Sequence, residues 1–238
     1  IHDCLNSVKW ADEIVVVDAL SEDRTVGLCC EYTDKIFSNP WPGYAAQKQF
    51  ALDHAVHPWV LSIDADERVS PALQQEIVHL MSGESVPFHG YKIPRLSYFL
   101  GKAMRFGGWY PGYQLRLFRK DKTRVNHVRV HEGFLVEGAC GYLKSDFIHL
   151  THRTVEESLE RMNRYSSLEA LDRFEQHRRG RIRWIHFFLH PLAAFGRQYI
   201  VKQGFRDGVR GLILAMITAV VNFALYLKLW ELQQASCD

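Results

Sequence analysis

Three short apolar runs, Glu13–Asp18 (EIVVVD), Asp34–Phe37 (DKIF) and Trp59–Ile63 (WVLSI), alternate with helical patterns at the start of this chain. Runs so short and so rich in β-branched and aromatic residues suit strands covered on both faces. Between them, Ser21-Glu22-Asp23-Arg24-Thr25 has the acids of a helix first turn and leads to a helix ending near Tyr32. Tyr44–His54 and Pro71–Met81 carry helical periodicity, and Asn39-Pro40-Trp41-Pro42-Gly43 is a loop. This repeated strand–helix rhythm predicts an α/β fold, with an open, mostly parallel sheet and helices on both faces. In such sheets ligands bind beyond the carboxyl ends of the strands, and Asp18 and Asp64 both stand there.

The third run ends in charge. Residues 60–71 read VLSIDADERVSP, placing Asp64, Asp66 and Glu67 close together. Repulsion and desolvation make that clustering costly unless a cation or a solvent-filled cleft compensates it. One reading is a solvated loop in which Asp66 or Ser70 caps the helix beginning at Pro71. The other is a divalent cation bridging carboxylate to diphosphate, since hard cations take carboxylate oxygens and keep positions open for phosphate. Aspartates delivered to one sheet edge by two strands favour the second.

Composition narrows the classes further. The 238 residues are 47% hydrophobic and 24% charged, as in a globular protein, and a net charge of +2 gives no reason to expect a nucleic-acid partner. Basic residues nevertheless concentrate between Arg173 and Arg210, where nine Lys/Arg face only Glu175 and Asp207. Five cysteines without a CxxC pair favour a reducing compartment over a disulfide framework. No signal peptide is evident. The chain opens at Ile1 within a helical pattern, so the true N-terminus is expected to lie upstream.

From Tyr91 to Leu150 the pattern turns strand-like and aromatic, with strand candidates at Gln114–Arg119 and Tyr142–Leu150 and a Gly-flanked loop around Trp109-Tyr110-Pro111. That loop is either core filler or a surface for the C–H faces of a sugar. Beyond Thr154 the pattern is helical, with Leu159, Met162, Leu168, Leu171 and Phe174 close to one helical face and strongly apolar segments at Ile182–Val201 and Gly208–Leu229. Gly211–Leu227 holds 17 residues without a charge, about 25 Å of helix, against the roughly 20 residues a comfortable span needs. Thr218 and Asn222 interrupt it. An interfacial or monotopic segment on an anionic leaflet is the favoured reading; packing against the rest of the protein or in a dimer, and a true span, are the alternatives.

Taken in order, SVKWADEIVVVDALSEDRT, WPGYAAQKQFAL, WVLSIDADERVSP and VHEGF resemble family 2 glycosyltransferases, in particular the branch of lipopolysaccharide inner-core β-glucosyltransferases. The resemblance implies a GT-A type nucleotide-diphospho-sugar transferase fold over residues 1–153, followed by a helical, membrane-associating region over 154–238. It implies that Asp18 accepts from the uracil or ribose, and that Asp64 lies near the ribose. Asp66 would hold Mg²⁺ or Mn²⁺ on the diphosphate, with Lys48 near the donor phosphates. Glu132 matches the acid that serves as base toward the acceptor hydroxyl. His131 and Trp109 are expected at the substrate, His131 on the acceptor side or acting through Glu132. His149 and His152 are structural histidines or contacts to donor phosphate or metal. The family's first strand is absent, and Leu20 stands where the family often has glycine.

The implied reaction is metal-dependent, inverting transfer of a hexose, glucose from UDP-glucose before others, to a heptose of the lipopolysaccharide core. It would take place at the cytoplasmic face of the inner membrane, the protein being peripheral or monotopic. Transfer to polyprenyl phosphate or another envelope glycan is the alternative within enzymes. A catalytically silent, membrane-attached nucleotide-sugar-binding protein is the alternative outside them.

Overall fold

A computed structural model describes residues 1–83, 85–126, 133–152, 154–176 and 182–235. The elements in chain order are α1 (His2–Asn6), β1 (Val16–Asp18), α2 (Thr25–Cys29), β2 (Ile36–Ser38), α3 (Tyr44–His54), β3 (Trp59–Leu61), β4 (Glu67–Val69) and α4 (Pro71–Met81). Next come β5 (Gly90–Ile93), β6 (Arg95–Phe99), β7 (Lys102–Ala103), β8 (Gln114–Arg119), β9 (Thr123–Asn126), β10 (Gly133–Val136), β11 (Cys140–Tyr142) and β12 (Phe147–His152). The chain closes with α5 (Val155–Gln176), α6 (His186–Gly196) and α7 (Val209–Ala235). They form two compact units, one of Ile1–Leu96 and Gly112–His149, the other of Ser97–Pro111 and Leu150–Asp238.

In unit 1, β1 pairs parallel with β2, Val16 opposite Ile36 and Asp18 opposite Ser38. A second sheet has the order β11-β5-β8-β3. Its β11–β5 pairing is parallel, whereas β5–β8 and β8–β3 are antiparallel, so parallel and antiparallel ladders are mixed. Gly141 on β11 is fixed by sterics, because a Cβ there would stand 2.6 Å from the Tyr91 ring. The apolar residues of β5 and β8 meet α4 in one core around Leu73, Ile77, Ile93, Leu117 and Phe147. On a second flank Phe118, fully buried, packs with Leu52 of α3 and with Phe134 of β10; burial of such a ring contributes about 2–3 kcal/mol. Ser70 caps α4, its Oγ accepting from Leu73 N at 3.2 Å, with Pro71 in the first turn. The single strand expected at Tyr142–Leu150 is two, β11 and β12. Between them, Glu76 of α4 accepts from the amides of Lys144 and Ser145 at 2.8–3.2 Å.

Unit 2 begins with a hairpin. Phe99 of β6 pairs Lys102 of β7 across Leu100 (φ 46°) and Gly101 (φ 76°), the two left-handed residues of a primed turn. Phe99 and Met104, both buried, pack against Leu214 of α7. Buried Asp207 accepts from the amides of Arg105 and Phe106, tying the hairpin's exit to the bend before α7. α5 packs on the C-terminal part of α7 through Ala170, Leu225 and Leu229. Lys228 donates to Asn163 O and Oδ1 and to the Ser166 and Ser167 hydroxyls, all within 2.8 Å.

Candidate active site

Three local pairings in unit 1 build the turn that follows β3. β8 lies antiparallel to β3, and Ser62 N donates to Arg116 O at 2.8 Å, so Arg116 sits beside the end of β3. β12 lies antiparallel to β4 with His149 opposite Glu67. α3 carries Lys48 to the same place. The turn is closed by reciprocal bonds: Glu67 N donates to Asp64 O at 2.9 Å, and Asp64 N donates to Glu67 Oε2 at 3.0 Å.

The charges clustered here are met one by one. Arg116, 3% exposed, donates from one nitrogen, Nη2, to Asp64 Oδ2 at 2.6 Å and to Glu67 Oε1 at 2.8 Å. Glu67 is wholly buried, and Arg95 Nη1 lies 3.7 Å from it. Lys48 Nζ stands 3.8 Å from Asp64 Oδ1, an ion pair without a hydrogen bond, and 5.9 Å from the Phe134 ring centre. His149 Nε2 is 3.4 Å from Asp66 Oδ2. Asp64, Asp66 and Glu67 thus face three permanent cations and an imidazole. Burial pushes the Asp64 pKa up, but the charges of Arg116, Lys48 and Arg95 outweigh it and hold the carboxyl at about 2. Burial also works against the charge on Arg116, while Glu67 and Asp64 raise its pKa above the ordinary value. Cys4 of α1 lies behind the turn, its Sγ 3.5 Å from Asp64 O, and burial pushes its thiol to about 11.

The structure brings Lys48, Asp64 and Asp66 together. Asp18 is buried in a turn of its own, accepting from Ser21 N at 2.9 Å and Ser21 Oγ at 2.6 Å. Leu20 in that turn has φ 66° and is 57% exposed, so a branched side chain occupies backbone space that favours glycine. Trp109 belongs to unit 2, where its ring packs against Phe99 at 6.3 Å between centroids. Glu132 and His131 lie between β9 and β10, outside the described residues. Arg116, Arg95 and the burial of Glu67 escape a sequence reading. The partners of Glu67 lie 28 and 49 residues further on, and only the strand register brings them to it.

Among the described residues no group of three His, Cys, Asp or Glu side chains could cage a metal. A hard cation shared with a diphosphate needs no cage, because one or two carboxylates and phosphate oxygens suffice. Asp66 fits that demand, being partly exposed, whereas both oxygens of Asp64 face protein cations.

Comparison with known proteins gives the family. Residues 1–151 match the family model described as Glycosyl transferase family 2, and the chain belongs to that family. It is therefore a glycosyltransferase with the α/β fold of the GT-A type. The lipopolysaccharide core biosynthesis glycosyltransferase LpsC of Rhizobium meliloti is 33% identical over 235 residues, covering 96% of this chain and 86% of that one. A glycosyltransferase of Rickettsia typhi, RT0209, is 31% identical over 98% of this chain and 82% of its own length. Residues 1–349 of TarS from S. aureus, a solved structure, align with a TM-score of 0.39 and 14% identity over 98% of this chain and 87% of that one.

Proposed function

We propose that this glycosyltransferase moves a hexose, glucose from UDP-glucose before others, onto a heptose of the lipopolysaccharide inner core, with inversion at the anomeric carbon. The observation that carries the reading is the turn in which Lys48 and Asp66 flank an Asp64 held ionised by Arg116. The likeness to LpsC supports the choice of acceptor. Asp18 would take the uracil or ribose and Asp64 the ribose. Lys48, paired to Asp64 only at 3.8 Å, is free to turn its ammonium to the donor phosphates. Asp66 would hold Mg²⁺ or Mn²⁺, which when bound supplies charge to neutralise the departing diphosphate. Glu132 would take the proton from the acceptor hydroxyl as that oxygen attacks the anomeric carbon and UDP leaves from the opposite face. His131 is assigned to the acceptor side. The reaction is assigned to the cytoplasmic face of the inner membrane.

The decisive experiment incubates the protein with UDP-sugars and defined core acceptors and weighs the product. A hexose added to core heptose is expected; an unmodified core with glycosylated polyprenyl phosphate would redirect the assignment. Two variants test the roles. Asp66→Ala is expected to abolish transfer and the Mn²⁺-dependent part of UDP binding. Glu132→Gln is expected to lower turnover about 100-fold or more with UDP-sugar affinity and melting temperature unchanged. A folded Glu132→Gln protein turning over at the parental rate would remove the base assignment.

A further inference from the structure

α6 and the bend that follows it leave an unusual amount of apolar surface in water. Phe188 and Leu192, four residues apart, stand on one side of α6, Trp184 lies in the turn just before it, and all three are 62–70% exposed. Val201, in the bend, and Val209, at the start of α7, are 75% and 72% exposed. The polar residues of α6 turn the other way: His190 stacks on Tyr226 of α7 at 4.2 Å, with His186 stacked beside it at 5.4 Å. Between residues 182 and 209 the charges are Arg183, Arg197, Lys202 and Arg206, all exposed, and one acid, Asp207, buried against backbone amides. An apolar row with exposed cations before it and in the bend after it, and with the segment's one acid withdrawn, complements an anionic lipid leaflet.

Three observations fix how that leaflet is met. α7 is apolar and long enough to cross a membrane by composition, yet its C-terminal third packs on α5, which carries nine charged residues among 22. Lys228 is held there by Asn163, Ser166 and Ser167. Sinking that end of α7 into hydrocarbon would take α5 with it, which the charge of α5 forbids. The bend cannot be the deep tip of a re-entrant hairpin either, because Arg197, Lys202 and Arg206 would lie in the bilayer centre. Only a flat orientation keeps these charges at the headgroups.

We infer that α6 and the 197–209 bend form a wedge lying in the plane of one leaflet of an anionic bilayer, with Trp184, Phe188 and Leu192 in the acyl boundary, and that α7 does not span. The inference rests on the membrane assignment above and says which element makes the contact.

The test uses the full chain and vesicles of phosphatidylcholine with and without phosphatidylglycerol. The parent is expected to bind the anionic vesicles, to bind less in high salt and to be released by alkaline carbonate. Phe188→Glu/Leu192→Glu is expected to weaken binding about 100-fold, two large apolar side chains being withdrawn from the interface. Donor hydrolysis should be unchanged. If that pair fails to fold, Phe188→Gln/Leu192→Gln replaces it, with a loss of about tenfold expected. A parent that binds neither vesicle overturns the membrane assignment itself. A parent that binds while the folded pair variant binds equally, or that resists carbonate, overturns the wedge alone. Parental dimers that the pair variant dissociates, with vesicle binding retained, would make this face an interface between copies and overturn it too.

Discussion

In unit 1 a carboxylate with no exposed surface, Glu67, sits against a guanidinium almost as buried; in unit 2 an aromatic ring, Phe188, stands more than half in water. Each reverses the ordinary preference of its residue type. The buried carboxylate is tolerable because the register of β8 on β3 brings Arg116 to it, with Arg95 of β6 beside it. The exposed ring has no such partner among the described residues. Satisfied burial of charge fixes the geometry of the turn. Unsatisfied exposure of apolar surface marks a place where something outside the chain completes the solvent environment.

The difference can be broken most violently at Arg116. Arg116→Gln leaves the buried Glu67 with Arg95, 3.7 Å away, as its remaining cation and should cost about 3–5 kcal/mol in chemical denaturation. Glu67→Gln/Arg116→Gln restores neutrality and should recover most of that stability. Its UDP affinity should remain low, because Asp64 has lost the cation that orients it. Full recovery of both would reduce Arg116 to a packing element.

Unit 2 has its own satisfied charge, and it should respond more mildly. Lys228→Met removes the ammonium's hydrogen bonds to Asn163, Ser166 and Ser167 but leaves an apolar stem, so urea titration should show a loss of about 1–2 kcal/mol. A neutral or stabilising result would mean that the Asn163-Ser166-Ser167 cradle serves a purpose other than stability. Smaller still, and opposite in sign, is Leu20→Gly. Relief of the left-handed backbone at φ 66° should exceed the entropy cost of glycine and raise stability by about 0.5–1 kcal/mol. A lowered melting temperature would show that the exposed Leu20 side chain contributes more than its strain costs. Phe188→Gln should leave stability in solution within about 0.5 kcal/mol of the parent, since the ring already faces water. A large loss would place that ring in a fold contact.

What the sequence reveals follows the range of the interactions involved. α3, α4 and β8 are legible to the residue because their signals are local: period, a serine cap, a proline in the first turn. Asp64, Asp66 and Lys48 are legible because they stand in ordered motifs. The compensation of Asp64-Asp66-Glu67 is not, for Arg116 reaches them from 49–52 residues away and QLRLFR reads equally well with either face inward. The split of the 140–152 region into β11 and β12 depends on Glu76, another distant partner. The apolar tail is visible in composition. That Thr218 and Asn222 do not interrupt it becomes clear only when each is seen to donate to the carbonyl four residues back, at 2.9 Å.

The hairpin of β6 and β7 has a consequence for the ribosome. Phe99 and Met104 are made early, but Leu214, against which they pack, emerges roughly 100 residues later, about 5–20 s at ordinary elongation rates. Through that interval a nascent chain carries an uncovered greasy hairpin in the middle of an otherwise completed catalytic sequence. Shortening the gene from its 3′ end would make the interval permanent. A truncated product ending before α7 should therefore aggregate during expression or be retained by chaperones, even though every residue of the Asp64–Glu67 turn has been translated.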